Sequence, residues 1–349
     1  MINWFFGLFS YDVGIDLGTA NTLVLVTGKG IVVREPTVVA INKKSKDILA
    51  IGTEAKKMVG RTPSNIVAIR PLKDGVISDF EQTAAMLSYY IHKIHTTSHQ
   101  LASLVPRPRV AIGIPSKVTE VERRAVSEAA LSAGARKAYL IEEPMAAAIG
   151  AGLAIEDASG SMIVDIGGGT CEIAVISLGG VVVSKSLKVA GDEMDGDIVN
   201  YVRTRYNILL GEKTAEEAKI EIGSAYPNGE EKETVVRGRD LETGLPKSIK
   251  ITSSQLREAI SPSLSQITNA IADTIEETPP ELVSDIVGKG IVICGGGALI
   301  PGIAKLIASE TKMPTIIADD PITCVVRGCG KVLEDPALLE KVRIVGGIR

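Results

Sequence analysis

Short apolar runs that end in tight glycine turns alternate along this chain with stretches of 3.6-residue periodicity, and one such arrangement occurs twice. "VGIDLGTANTLVLVTGKGIVV" and, further on, "MIVDIGGGTCEIAVISLGGVVV" share one plan. Each has an apolar run ending in Asp, a Gly/Thr loop, a second apolar run, a Gly-containing turn and a third apolar run; bounded in this way, such runs read as buried strands. Asp16 and Asp165 hold the same place in the two copies, as do Gly18 and Gly167.

Both copies lead into mixed strand and helix patterns. After the first come "RVAIGIP", a buried-strand run, and "TEVERRAVSEAALSAG", where Thr119 and Glu122 form a capping-box pattern ahead of a helix. After the second come "GDEMDGDIVNYVRTRYNILL", "TAEEAKIEIG" with Thr214 and Glu217 in the same relation, a long helical stretch to Glu277, and "GIVICGGGALIPGIAKLIASE". Pro262 interrupts that long stretch, which predicts a kink or a restart there with Ser261 as the new cap. Residues 37–76 and 190–249 fit neither repeat core and read as one small insertion on each half. The fold class is α/β, doubled.

Composition narrows the function. A chain of 349 residues with 45% hydrophobic content has material for two compact units. A net charge of -4 supplies no basic field, so nucleic acid is not an expected partner. Cys171, Cys294, Cys324 and Cys329 match no metal-ligand spacing and read as reduced core thiols. No apolar run approaches the roughly 18 residues of a membrane-spanning helix. "MINWFFGLFS" lacks the basic region and cleavage site of a secretory signal, so the expected compartment is the cytoplasm.

Three glycine turns follow apolar runs: "DLGTAN" at 16–21, "DIGGGT" at 165–170 and "CGGGA" at 294–298. Turns without Cβ atoms let backbone N–H groups approach an anion, so such turns cradle phosphates. Asp16 and Asp165 suit a Mg²⁺ ion held through its waters, because that ion keeps much of its hydration shell while bridging phosphate oxygens. One such loop alone is ordinary turn chemistry; two with matched Asp residues, plus a third glycine run, point to a nucleotide. Neither GxxxxGK[ST] nor a GxGxxG opening a helix is present.

The DxGT and DIGGGT loops, "IEEPMAAAIGAG" between them and the late strand followed by GGG resemble the actin and sugar-kinase ATPase superfamily. Within it, "GIDLGTANTLV", "REPTVVAI", "VAGDEMD", "EEAKIEIG", "GLPK" and "TPPELVSDI" resemble the MreB family of bacterial actins, along nearly the whole chain. The resemblance implies an actin-like ATPase fold: two duplicated ribonuclease-H-like domains around a nucleotide cleft, each with a small inserted subdomain, and ATP with Mg²⁺ in the cleft. On this reading residues 11–36, 77–150 and 319–349 make the first large subdomain, 37–76 its insertion, 151–189 with 250–318 the second, and 190–249 the second insertion.

The resemblance further implies that Asp16, Gly18, Thr19, Ala20 and Asn21 serve the phosphates and metal from one side. Asp165, Gly167, Gly168, Gly169 and Thr170 do so from the other. Glu216, Glu217, Ala218 and Lys219 would approach ribose and adenine, and Gly295, Gly296, Gly297 and Ala298 would line the adenosine pocket. Adjacent Glu142 and Glu143 both suit the base that positions attacking water, and the residues alone do not choose; the family pattern favours Glu143, assisted by Thr170. Cys171 stands where the family usually has a second Thr, which leaves the local hydrogen bonding open.

Three activities share this core. A sugar kinase needs a sugar pocket and a base for a hydroxyl group, and a chaperone-type ATPase a peptide-binding β domain; no stretch reads as either. The family resemblance implies a homopolymer of paired antiparallel protofilaments, flat on inner-membrane lipid. It implies a role in cell-wall elongation and rod shape, with partners such as RodZ and MreC.

One stretch lies outside that core. Of 4 Phe and 1 Trp in the chain, Trp4, Phe5, Phe6 and Phe9 lie in the first ten residues. On a helical wheel Met1, Ile2, Trp4, Phe5, Phe6, Leu8 and Phe9 fill one broad arc, with Asn3, Gly7 and Ser10 opposite. This reads as an amphipathic membrane-binding segment over residues 1–10, against the alternatives of a tail tucked onto its own domain or a strand. "QLASLVP", with Leu101, Leu104 and Val105, is either a second membrane contact or a buried connection. The first segment has no Lys or Arg, so its binding is expected to depend on apolar insertion and only weakly on salt.

Overall fold

A computed structural model describes residues 10–96, 107–227 and 229–344. They form two compact units: one from the described residues up to Ala158 with Ile176–Val181 and Ile322 onward, the other from Ser159–Val175 and Val182–Pro321. The expected membrane residues Ile2, Trp4, Phe5, Phe6, Leu8, Phe9, Leu101 and Leu104 lie outside the described residues.

In the first unit β1 (Val13–Leu17), β2 (Asn21–Val26), β3 (Gly30–Pro36), β4 (Arg109–Ile114) and β5 (Lys137–Glu142) make a sheet of order β5-β4-β1-β2-β3. β1, β2 and β3 run as an antiparallel meander, whereas β4 and β5 join in parallel. Parallel strands need a crossover. Helix α2 (Glu120–Ser132) provides it, opened by the capping box that Thr119 and Glu122 predict. With α1 (Phe80–Thr96) it buries the sheet around Ile15, Val24, Leu87, Tyr90 and Ile112. Within residues 37–76, strands Val39–Asn42, Ile48–Ile51 and Ile66–Ile69 form a separate small sheet, packed with Thr53–Met58 around Val38, Ala40 and Ala55.

The second unit repeats the arrangement. β6 (Ser161–Ile166), β7 (Cys171–Ser177), β8 (Gly180–Leu187), β9 (Ile291–Cys294) and β10 (Thr315–Ile317) take the order β8-β7-β6-β9-β10, with β6, β9 and β10 parallel. Read by rank within each copy, the strand order is identical, which is the duplication seen in the sequence. Between β8 and β9 lie α4 (Gly191–Tyr206), α5 (Glu212–Ile222), a small sheet of Ile208–Leu209, Glu233–Asp240 and Pro246–Thr252, and α6 (Ser253–Glu276). No helix among the described residues is long and apolar enough to cross a membrane.

Two helix signals read differently in the structure. α5 starts at Glu212 with Gly211 as its N-cap, so Thr214 lies inside the first turn and caps nothing. α6 runs unbroken through Pro262, and its cap is Thr252 with Gln255. Ser261, expected as a cap, donates from Oγ to the Glu258 carbonyl at 2.9 Å. That carbonyl is the one a residue-262 N–H would have engaged, so the serine satisfies the acceptor that proline leaves.

Candidate functional site

In the first unit the turn between β1 and β2 is held from behind by Thr37, which is fully buried. Its Oγ1 donates to the Gly18 carbonyl at 2.7 Å, its N–H donates to the Ala20 carbonyl at 3.0 Å, and its hydroxyl lies 2.9 Å from that of Thr22. Gly18 has no room for a side chain, since a Cβ would fall 2.7 Å from the Asn21 carbonyl oxygen. Thr19 is buried, and its Oγ1 accepts from the Gly75 N–H at 3.0 Å. Asn21 is exposed at the start of β2.

The acids of this unit converge across the sheet. Asp16 on β1 is in register with Gly113 on β4, and Gly113 with Ile141 on β5. β5 ends at Glu142 and Glu143 opens α3 (Glu143–Ala151), with Pro144 in the first turn, where its missing N–H costs nothing. Glu143 is buried while Glu142 is half-buried. A Cβ on Gly113 would sit 3.4 Å from Glu143 Cγ. The Cys329 thiol of α7 (Cys324–Glu334) is pushed up by burial and by the charges of Asp16 and Glu143, so both acids act on one buried spot. Burial raises the Glu142 carboxyl, and Arg123 opposes it.

In the second unit Asp165 sits near the end of β6, in register with Cys294 on β9. Burial, and then the neighbouring charge of Glu172, push its carboxyl up to about 7, with a bond to Cys294 opposing. Glu172 on β7 is 1% exposed and accepts from Ser186 Oγ. The Cys171 thiol is raised by burial and by Asp165 and Glu172, which places Cys171 beside this acid pair. Gly167 N–H donates to the Thr170 carbonyl at 2.9 Å and closes the loop.

The third glycine run packs directly on that strand end. Gly295 has φ of +80°, and a Cβ there would meet Asp165 Oδ1 at 2.3 Å. A Cβ on Gly297 would meet Ile166 Cγ2 at 2.3 Å, whereas one on Gly296 meets nothing within 4 Å. Glycine is therefore required at 295 and 297 for close approach. Ala298 and Ala218 are buried in the core of this unit. Glu217 is exposed and Glu216 half-buried on α5. Lys219 turns inward, donating to the Gly191 carbonyl at 2.6 Å and pairing with Asp195 at 2.8 Å.

A family profile described as MreB/Mbl protein matches residues 10–341. The chain belongs to the MreB/Mbl family. It is 52% identical over 338 residues to the cell shape-determining protein MreB of Escherichia coli strain K12, covering 96% of each chain. It is 49% identical over 337 residues to the cell shape-determining protein Mbl of Bacillus subtilis strain 168, covering 97% of this chain and 100% of that one. Among solved structures, MreB5 of Spiroplasma citri bound to ADP superposes with a TM-score of 0.88 at 41% identity, over 95% of this chain and 98% of that one. The MamK double helical filament, at 22% identity and a TM-score of 0.78, shares the fold. The fold is accordingly actin-like.

Within this MreB/Mbl chain the structure brings Asp16, Gly18 and Glu143 into one neighbourhood of the first unit, and Asp165, Gly167–Thr170 and Gly295–Gly297 into one of the second. Thr37, Gly113, Glu172 and Gly191 were not singled out in the sequence. Thr37 lay in plain view in "REPTVVAI", but its partners are carbonyls across the sheet, which no local pattern reveals. All four cysteines are free and buried, as their placement predicted. Among the described residues no group of three or more His, Cys, Asp or Glu could hold a metal ion by itself.

Proposed function

We propose that this protein is an actin-like cytoskeletal ATPase that binds ATP with Mg²⁺, polymerises into filaments on the inner face of the cell membrane and organises wall elongation to maintain rod shape. The observation that carries this reading is the duplicated loop: the same strand, Asp and Gly/Thr turn on two sheets of identical order, in a chain about half identical to cell shape-determining proteins along its length. MreB5 of Spiroplasma citri has been solved with ADP and with AMPPNP, which supports nucleotide binding by this chain.

The residues fit the group. Gly18–Asn21 and Gly167–Thr170 are turns whose carbonyl sides are fixed by neighbouring chain, the arrangement that presents amides to phosphate. A divalent cation beside Asp165 would favour the ionised carboxylate that burial and Glu172 disfavour. Asp165 would hold such an ion through water, and Asp16 is its counterpart in the duplicated loop of the first unit. Glu143, buried at the first residue of its helix, is the residue proposed to orient the attacking water, and the assisting role proposed for Thr170 rests on the family resemblance. Hydrolysis of this kind rests on positioning and electrostatics, and is expected to be slow and coupled to assembly.

Glu143→Ala should leave ATP affinity within about twofold and reduce phosphate release by roughly a hundredfold or more, the scale at which a positioned base contributes. A pelleting assay with ATP and Mg²⁺, followed by phosphate release, separates the outcomes. Unchanged release in that variant removes Glu143 from the role. Release of ADP only on addition of a sugar, without polymer, would mark a kinase instead. Antiparallel pairing of protofilaments and contacts with RodZ and MreC belong to the same proposal, and filament images on lipid with co-purification of those proteins would test them.

A further inference from the structure

A cavity of about 150 Å³ lies in the second unit, where the end of α5 meets the start of α6. Buried Ser224 and Ser253 line it, together with the charged residues Glu221, Glu230, Glu231, Lys232 and Arg257. None of these is a residue assigned to the nucleotide above. Two of the three acids are engaged by hydroxyls. Glu221 Oε2 accepts from Thr234 Oγ1 at 2.8 Å, and Glu231 Oε1 accepts from the Ser254 hydroxyl and, at 3.4 Å, from the Ser254 N–H. The Arg257 charge also reaches Glu231, whose carboxyl is held low first by its bonds to Ser254 and Thr252.

The cations keep more of their bonding capacity. Half-buried Arg257 donates from Nη1 to Ser224 Oγ at 2.9 Å. Neither its other donors nor the Lys232 ammonium has a hydrogen-bond partner among the described residues. A guanidinium carries its N–H donors in a planar fork that matches a carboxylate. On the acidic side, Glu230 has no hydrogen-bond partner among the described residues, and Glu221 keeps lone pairs after serving Thr234. Three carboxylates beside two cations disfavour a lone anion, and the guanidinium disfavours a lone cation. A guest carrying one charge of each sign meets neither penalty. The volume sets its size, since a cavity of this volume takes a benzene-sized guest of about six non-hydrogen atoms. An α-amino acid with a methyl side chain has that many.

We propose that this cavity binds a free α-amino acid with a small side chain, its carboxylate on the Arg257 guanidinium and the Lys232 ammonium and its own ammonium on Glu221 and Glu230. The test is saturation-transfer NMR on the full chain with L-alanine, propionate and alaninamide. Propionate keeps the carboxylate and alaninamide the ammonium, each at nearly the volume of alanine. L-alanine should bind at least about tenfold more tightly than either, the scale of one charged hydrogen bond. Arg257→Gln should weaken alanine binding by a similar factor. The double variant Glu221→Gln/Glu230→Gln should do the same, and both positions are exposed, so it serves if Arg257→Gln does not fold. Lys57→Met, on the surface of the first unit, should match the parent. ATP with Mg²⁺ should not displace alanine, and failure of the nucleotide reading would leave every one of these outcomes unchanged. Propionate binding as tightly as alanine would make the cavity a plain anion site and overturn the proposal. Parental affinity in a folded Arg257→Gln or in the double variant would place alanine elsewhere, and displacement by ATP would place it in the nucleotide site; either result overturns it. So would the absence of alanine binding by the parent.

Discussion

His95 shows how a single buried group sets a pH response. Its ring is 2% exposed, Nδ1 lies 2.7 Å from the Ile91 carbonyl, and Nε2 is buried with no hydrogen-bond partner among the described residues. Burial therefore holds its pKa below the usual 6.5, with Lys29 and His92 adding to the effect and the Ile91 bond opposing it. The sign follows: between the unfolded and folded values the unfolded chain binds more protons, so the contribution of His95 is complete above pH 6.5 and is lost as pH falls below it. His95→Phe should narrow the difference between urea midpoints measured at pH 7.5 and pH 5.5, and an unchanged difference would exclude His95 as a source. At this scale the sequence made the acids and glycines of the loops readable, because Asp and Gly after an apolar run carry their meaning locally. It could not tell Glu142 from Glu143, which differ only in which one the strand-to-helix junction buries, nor show that Lys219 turns toward Asp195.

Among the elements, helix α3 carries Glu143 at its first residue and packs on α7 through glycines. A Cβ on Gly328 would lie 1.8 Å from the Ala146 carbonyl oxygen, and one on Gly150 would lie 1.8 Å from that of Cys324. Neither neighbour is a flexible side-chain end, so backbone must move. Gly328→Ala is expected to cost about 3 kcal/mol or more by urea denaturation, at the upper end for overpacking, and to slow phosphate release by shifting Glu143. Gly196→Ala on α4 makes the contrast: a Cβ there meets nothing within 4 Å, and the substitution should stabilise by up to about 1 kcal/mol through lost unfolded-state freedom. A Gly328→Ala chain as stable as its parent would show that the two helices separate without cost. Elements were the most legible level, since strand runs and capping residues declare themselves within a few positions. The failures were local patterns overruled by context: the Thr214 motif was pre-empted by a helix that had begun two residues earlier, and Pro262 was absorbed because Ser261 satisfied the carbonyl it left.

For the whole molecule, duplication was legible because both copies keep the same order of Asp, loop and strand, whereas surfaces joining one copy to the next have no period to betray them. The first ten residues are the exception, since composition alone sets them apart. Burying each of Trp4, Phe5 and Phe9 in an apolar phase is worth roughly 1.5 to 3 kcal/mol when complete and less at an interface. On the proposed membrane attachment, a single chain would therefore bind a bilayer reversibly. In a filament every subunit contributes one such segment, and after the first has bound the others act at high effective concentration. Attachment should then rise steeply with protein concentration when ATP and Mg²⁺ are present and only gradually when they are absent. The segment has no Lys or Arg, so raising salt from 0.1 M to 1 M, which cuts the screening length from about 10 Å to about 3 Å, should change vesicle co-sedimentation little. Trp4→Ala/Phe5→Ala/Phe9→Ala should reduce co-sedimentation at least tenfold while leaving ATP-dependent pelleting without lipid intact. Equal binding by this variant would take the membrane contact away from the first ten residues, and collapse of parental binding in salt would replace apolar insertion with electrostatic attachment.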